Sequence, residues 1–218
     1  MEYRPIDRLA TWITRLFVLV LILSTATAIL ELGVGARLNS GHESPEAVLS
    51  SGLYGVALLV ELLGGVVYVS TAIVFIAWFR RAYRNVPSLS GQPLEWNSAW
   101  TIWGWIVPIL NFYRPFQLMK EIWYGSVERF EPDDDARFDM VKWWWGAWLV
   151  SSVVSRMIFR YGLRSGDEVD SLLVQSRLTA VETALTAIAA ILALRVVNEI
   201  TRRQKTRKDE DFVERVFG

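Results

Sequence analysis

The chain contains no cysteine and a single histidine, His42, among 218 residues. Disulfides, thiol nucleophiles and thiolate metal sites are therefore excluded. His42 stands alone in a Gly/Ser/Pro-containing loop and reads as a solvated side chain. Excess charge of one sign is also missing, since 23 basic residues balance 23 acidic ones. That balance gives no electrostatic case for nucleic acid as a partner. No glycine-rich phosphate loop, His-Glu metal helix or serine-hydrolase elbow occurs. The sequence names no catalytic residue, metal ligand or cofactor, and a non-enzyme is the expectation. The acidic stretch EPDDDARFD lacks the ligand order and glycine of a calcium loop, and reads as a solvated link.

What is abundant is apolar: 52% of the residues, including 11 tryptophans. They are collected into long runs. A helix needs about 20 residues to cross the hydrocarbon layer. Trp12 to Leu32 and Leu53 to Phe79 meet that length, as does Leu172 to Val197. Trp143 to Phe159 is shorter. The first run is longer than a signal-peptide core and no small-residue cleavage site closes it, so it reads as an uncleaved span.

A fifth stretch, WTIWGWIVPILNFYRPFQLMKEIW from Trp100 to Trp123, carries Asn111, Arg114 and two prolines. Lysine and arginine in short loops stay cytoplasmic. Arg4 and Arg8, the RRAYR exit of the second helix and TRRQKTRK near the C-terminus share one side if the chain crosses four times. Five crossings separate them. The uninterrupted apolar part, Ala99 to Leu110, gives only about 18 Å of helix against a hydrocarbon core of about 30 Å. The expected fold is an all-α integral membrane bundle with four full spans plus a broken re-entrant or interfacial helix; five spans are the alternative. Residues 1–200 form one transmembrane domain and 201–218 a charged tail. Both termini are expected in the cytoplasm.

In a helix, Pro108 and Pro115 would each remove a backbone hydrogen bond. Asn111 lies between them with an amide able to cap a freed group. Such a broken helix serves either packing or a solute site. The tryptophans around Trp100 and at Trp143–Trp145 read as an aromatic belt at headgroup level.

Three charges lie inside the apolar runs. Glu61, Arg156 and Glu182 fall at similar depth in the four-span arrangement. An unpaired charge there is expensive, so Arg156 is expected to pair with Glu61 or Glu182. This network is either a structural tie or a solute or proton site. Along the last helix Ala180, Ala184, Ala187, Ala190 and Ala193 form a small face suited to close packing. A homodimer or another membrane protein would fit the same face. The basic tail and its apolar end suit an anionic leaflet, which makes membrane lipids the other expected partner.

The segment AWFRRAYRNVPSLSG, followed by the Trp100 stretch, resembles an uncharacterised bacterial membrane family, domain of unknown function 4328. The likeness runs from the second helix through the last. Its positions here are Trp78, Arg81, Asn85, Pro108, Asn111, Pro115 and Glu121, while Asn97-Ser98 replaces a proline common before the aromatic stretch. The resemblance implies a multi-pass protein of the bacterial inner membrane and brings no activity. Asn111, Arg114, Glu121, Arg81 and Asn85 form a candidate polar site, facing the cytoplasm. A structural or partner-interaction role leads. A small-solute transporter or channel-like protein using the broken segment is the alternative, and a lipid-modifying enzyme comes third.

Overall fold

The computed structural model describes residues 3–42, 44–127, 134–164 and 169–217. Helix is the only regular structure among the described residues: α1 (Asp7–Ser40), α2 (Pro45–Leu49), α3 (Gly52–Ser90), α4 (Trp100–Ile106), a 3₁₀ turn (Leu110–Phe112), α5 (Arg114–Gly125), α6 (Asp134–Gly162) and α7 (Val169–Phe217). Three of them, α1, α3 and α7, are long and apolar enough to cross a membrane. Helix α6, at 29 residues, has the length but interrupts its apolar run with Ser151, Ser152, Ser155 and Arg156.

Local chemistry sets the ends. Gly41 and Gly91 adopt φ of +66° and +69°, which stops α1 and α3 where a side chain would be strained. Ser44 caps α2 by accepting from the Ala47 amide at 3.3 Å. Pro87 lies inside the last turns of α3, and its carbonyl accepts the Gly91 amide at 3.1 Å.

The chain divides into two compact units: residues 1–15, 71–145 and 192–218 form one, and residues 16–70 and 146–191 the other. In the first unit the core is aromatic. Trp78, Phe79 and Tyr83 of α3 are fully buried, as are Leu118, Ile122 and Trp123 of α5 and Ile200 of α7. Ring contacts run from Phe75 to Trp105 and Trp144, and from Trp105 to Trp145. The tryptophans thus split: Trp78, Trp123, Trp144 and Trp145 are packed inside, while Trp143 stays 69% exposed. The belt expected at the start of α6 is half core, because consecutive helical residues face different directions.

The second unit has the opposite distribution to a soluble globule. Its outer faces carry Leu59, Leu62 and Val66, with Leu62 at 69% exposed. Ser176, Thr183 and Ser151 are buried inside it. Apolar faces of this extent mark a surface meant for lipid or protein rather than water. Helices α1 and α7 approach closely at Gly35, where a Cβ would lie 3.1 Å from the Ser176 hydroxyl. That hydroxyl donates to the Glu31 carbonyl at 2.6 Å. Val34, Leu38 and Val48 close one end of the unit, with Leu53, Tyr54, Leu172 and Leu173 packed on them.

Candidate functional sites

The Trp100 stretch turns back on itself. Helix α4 is only seven residues long and ends at Val107, whose ψ of 117° leaves the helical region. Its length is about 10 Å, a third of a hydrocarbon core. Pro108 begins the turn rather than kinking a helix. Pro115 stands in the first turn of α5, where a missing N–H costs nothing. The expected pair of breaks within one helix is therefore one turn between two short helices. At Gly104 a Cβ would meet the Arg114 side chain at 3.1 Å, so the hairpin closes over a glycine.

Arg114 fills the inside of this hairpin. Its guanidinium stands 3.8 Å from the Trp96 ring centre and 5.4 Å from that of Trp100. It also donates to the Gln117 side chain at 2.9 Å. Asn111 caps no backbone group here: its Oδ1 is buried without a hydrogen-bond partner among the described residues, as is Nε of Arg114.

Glu121 is held from two directions. Its carboxylate accepts from the Tyr83 hydroxyl at 2.7 Å and from the Glu95 amide at 2.6 Å. The Trp96 carbonyl lies 2.9 Å from the same phenol, which in turn accepts the Trp96 amide at 3.1 Å. Tyr83 lies four residues beyond Phe79, where the apolar run of α3 ends. Burial first, then Glu121, push its pKa well above the usual tyrosine range, so the phenol keeps its proton. Glu121, Tyr83, Trp96 and Arg114 thus form one connected chain that fixes the 95–96 loop over the hairpin.

Asn85 and Arg81 belong elsewhere. Asn85 is buried, exchanges two bonds with the Arg4 backbone at 3.0 and 2.8 Å, and donates to Gln204 at 3.0 Å. Gln204 donates onward to the Ala82 carbonyl and to Ser126. Arg81 reaches the Pro5 carbonyl at 3.3 Å. These bonds clamp the N-terminal segment, α3, α5 and α7 together. The five candidate polar positions therefore divide between a clamp, a loop anchor and a hairpin. Gln204, Tyr83, Trp96 and Ser126 complete these networks. Sequence reasoning passed them by, because each is an ordinary residue made important by a partner far away in the chain.

Glu61, Arg156 and Glu182 all line one cavity of about 460 Å³ in the second unit. Its wall is rich in hydroxyls: Ser24, Ser151, Ser155, Thr179, Thr183 and Thr186 contribute, with Tyr68. Glu182 accepts from Thr186 at 3.0 Å and lies within reach of Ser155. Thr186 and Ser151 share a further bond of 3.0 Å across α7 and α6. Among the described residues no group of three His, Asp or Glu side chains is arranged to hold a metal ion.

These features define an all-α protein with three helices fit to span a membrane and a polar cavity between apolar-faced helices. The family described as Domain of unknown function (DUF4328) matches residues 41–202, and the chain belongs to it. Comparison with curated proteins and with solved structures gives no match.

Proposed function

We propose that the protein is a multi-pass protein of the bacterial inner membrane that admits a small polar solute into the cavity of its second unit. The observation that carries this reading is the cavity's lining. Hydroxyl groups, two carboxylates and an arginine line a half-open cavity of about 460 Å³ among helices whose outer faces are apolar. Polar and ionisable groups at such depth are costly and mark solute or ion pathways by default. The volume falls in the range of small-molecule pockets, about 300–1,000 Å³. Purely structural helix packing needs a few small residues and interhelical bonds, not an open chamber of this composition.

In this reading α1, α3, α6 and α7 are the four spans, both termini are cytoplasmic, and the α4–α5 hairpin lies on the cytoplasmic side. The hairpin itself is not the solute site. Arg114, Glu121 and Asn85 are engaged by the protein's own groups, and neither Arg114 nor Asn111 lines the cavity. A structural or partner-binding role remains the rival, supported by the same apolar faces.

The test is thermal stabilisation of the purified protein by a panel of small polar solutes: ammonium compounds, amino acids, polyols and carboxylates. A binder at a hundred times its Kd stabilises by about 2.7 kcal/mol. The reading requires at least one stabilising class whose effect disappears in Thr183→Leu, which fills the chamber. Stabilisation by none, or equal stabilisation of the filled variant, contradicts it.

A further inference from the structure

A second concavity, of about 630 Å³, lies wholly within the first unit. Helix α7 presents Arg195, Asn198, Glu199 and Arg202 to it. Their spacing of three, four and seven residues puts them on one helical face. Helix α6 adds Arg137 and Met140, and α5 adds Trp123. Three guanidiniums thus meet one carboxylate, and that carboxylate is already used. Glu199 accepts from Arg202 at 2.7 and 3.0 Å and from Arg203 at 2.8 Å. Arg137 and Arg195 have no ion pair or hydrogen bond among the described residues. Among the described residues the acidic neighbours of Arg137 are engaged elsewhere: Asp139 pairs with Lys142 at 2.6 Å, and Asp135 takes the Tyr124 hydroxyl at 2.9 Å.

The groove also has an apolar wall. Ala136 and Met140 line it. Arg195 stands in the last turn of the apolar run that ends at Val197, where α7 changes from a span to a basic helix. A free phosphate would use the guanidiniums and leave this wall idle. A phospholipid uses both, with its phosphate on the arginines and its glycerol and upper acyl chain along Met140 and Ala136.

We infer that Arg137, Arg195 and Arg202 form a binding site for the phosphate of an anionic phospholipid headgroup at the cytoplasmic surface. Guanidinium suits this task because it is always charged and its planar fork matches phosphate oxygens. Basic pockets on the cytoplasmic side of membrane helices recognise anionic headgroups in this way.

The experiment titrates the detergent-purified full chain with short-chain phosphatidylglycerol, short-chain phosphatidylcholine and inorganic phosphate. Bound lipid is counted by native mass spectrometry, and the thermal midpoint is followed in parallel. Phosphatidylglycerol binds and raises the midpoint, phosphatidylcholine binds more weakly, and inorganic phosphate at equal concentration does neither. The Arg137→Gln/Arg195→Gln variant weakens phosphatidylglycerol binding by about 30-fold, on the scale expected for two arginines at an anionic surface. Both residues are exposed and have no partner among the described residues, so the fold is unaffected. Arg8→Gln/Arg84→Gln, which removes the same charge from exposed positions outside the groove, keeps the affinity. Equal binding of the two lipids, unchanged selectivity in the groove variant, or inorganic phosphate displacing the lipid at equal concentration overturns the inference. None of these outcomes bears on solute entry into the second unit.

Discussion

The side chains of Asn85 and Gln204 meet at 3.0 Å across a separation of 119 residues, both buried and both hydrogen-bonded to further backbone. The contact joins α3 to α7, and through Arg4 it holds the N-terminal segment on the same junction. Removing one partner strands buried donors and acceptors. Asn85→Ala and Gln204→Ala should each cost about 1–3 kcal/mol. The double variant should cost less than their sum, because the two residues share one network. Thermal or denaturant unfolding of the four-member cycle measures this; strict additivity would show that the contact is incidental.

Gly125 of α5 sits against Val86 of α3, and an added Cβ would lie 2.5 Å from a valine methyl. Valine has little rotamer freedom in a helix, so the methyl cannot swing aside. Gly125→Ala should destabilise by about 1–3 kcal/mol through overpacking. The pair Gly125→Ala/Val86→Ala should recover much of that loss. A lowered midpoint in the single variant with no recovery in the double would place the strain elsewhere.

Glu121 and Tyr83 fix the loop that carries Trp96 over Arg114. Glu121→Ala should release the Glu95 amide and loosen the Tyr83–Trp96 contact. Hydrogen exchange at residues 95 and 96 should then accelerate while exchange in the core of α3 stays slow. Unchanged protection at these amides would mean the loop is held by the ring stack alone.

Crossing number can be read by labelling, since the chain has no cysteine of its own. With four spans, a cysteine at Lys120 is reached from the cytoplasm and one at Ser50 from the opposite side. Both positions are exposed. Ser126, just past the end of α5, would be a poor choice because its side chain is buried and bonded to Gln204. Labelling of Lys120 and Ser50 from the same side would remove the proposed topology.

Much of this architecture is written in hydropathy. Length and apolar content identify α1, α3 and α7, and the short apolar core of the Trp100 stretch already argues that it cannot cross as one helix. Pro108 marks the turn, although Pro115 begins α5 instead of breaking a helix. Glu61, Arg156 and Glu182 are legible as a group because charge in an apolar run is expensive. The hydroxyls around them are not, since serine and threonine bond their own helix backbone as readily as a cavity. Thr183 does both: it lines the chamber while donating to the Thr179 carbonyl at 2.7 Å. The division of the candidate polar residues into clamp, anchor and hairpin was equally hidden. Asn85 needs Gln204 and Arg4, and nothing local to Asn85 announces either.

The central claim is that polar solute reaches the chamber between the apolar-faced helices. Cysteines at Ser155 and Thr179, which line it, and at Leu62, on the outer face, would be exposed to a charged methanethiosulfonate reagent in intact membranes. The reagent attacks thiolate, which forms only where water enters. The account predicts rapid modification of Ser155→Cys and Thr179→Cys, and none of Leu62→Cys. Unreactive thiols at both lining positions, in a protein that is folded and inserted, would contradict it.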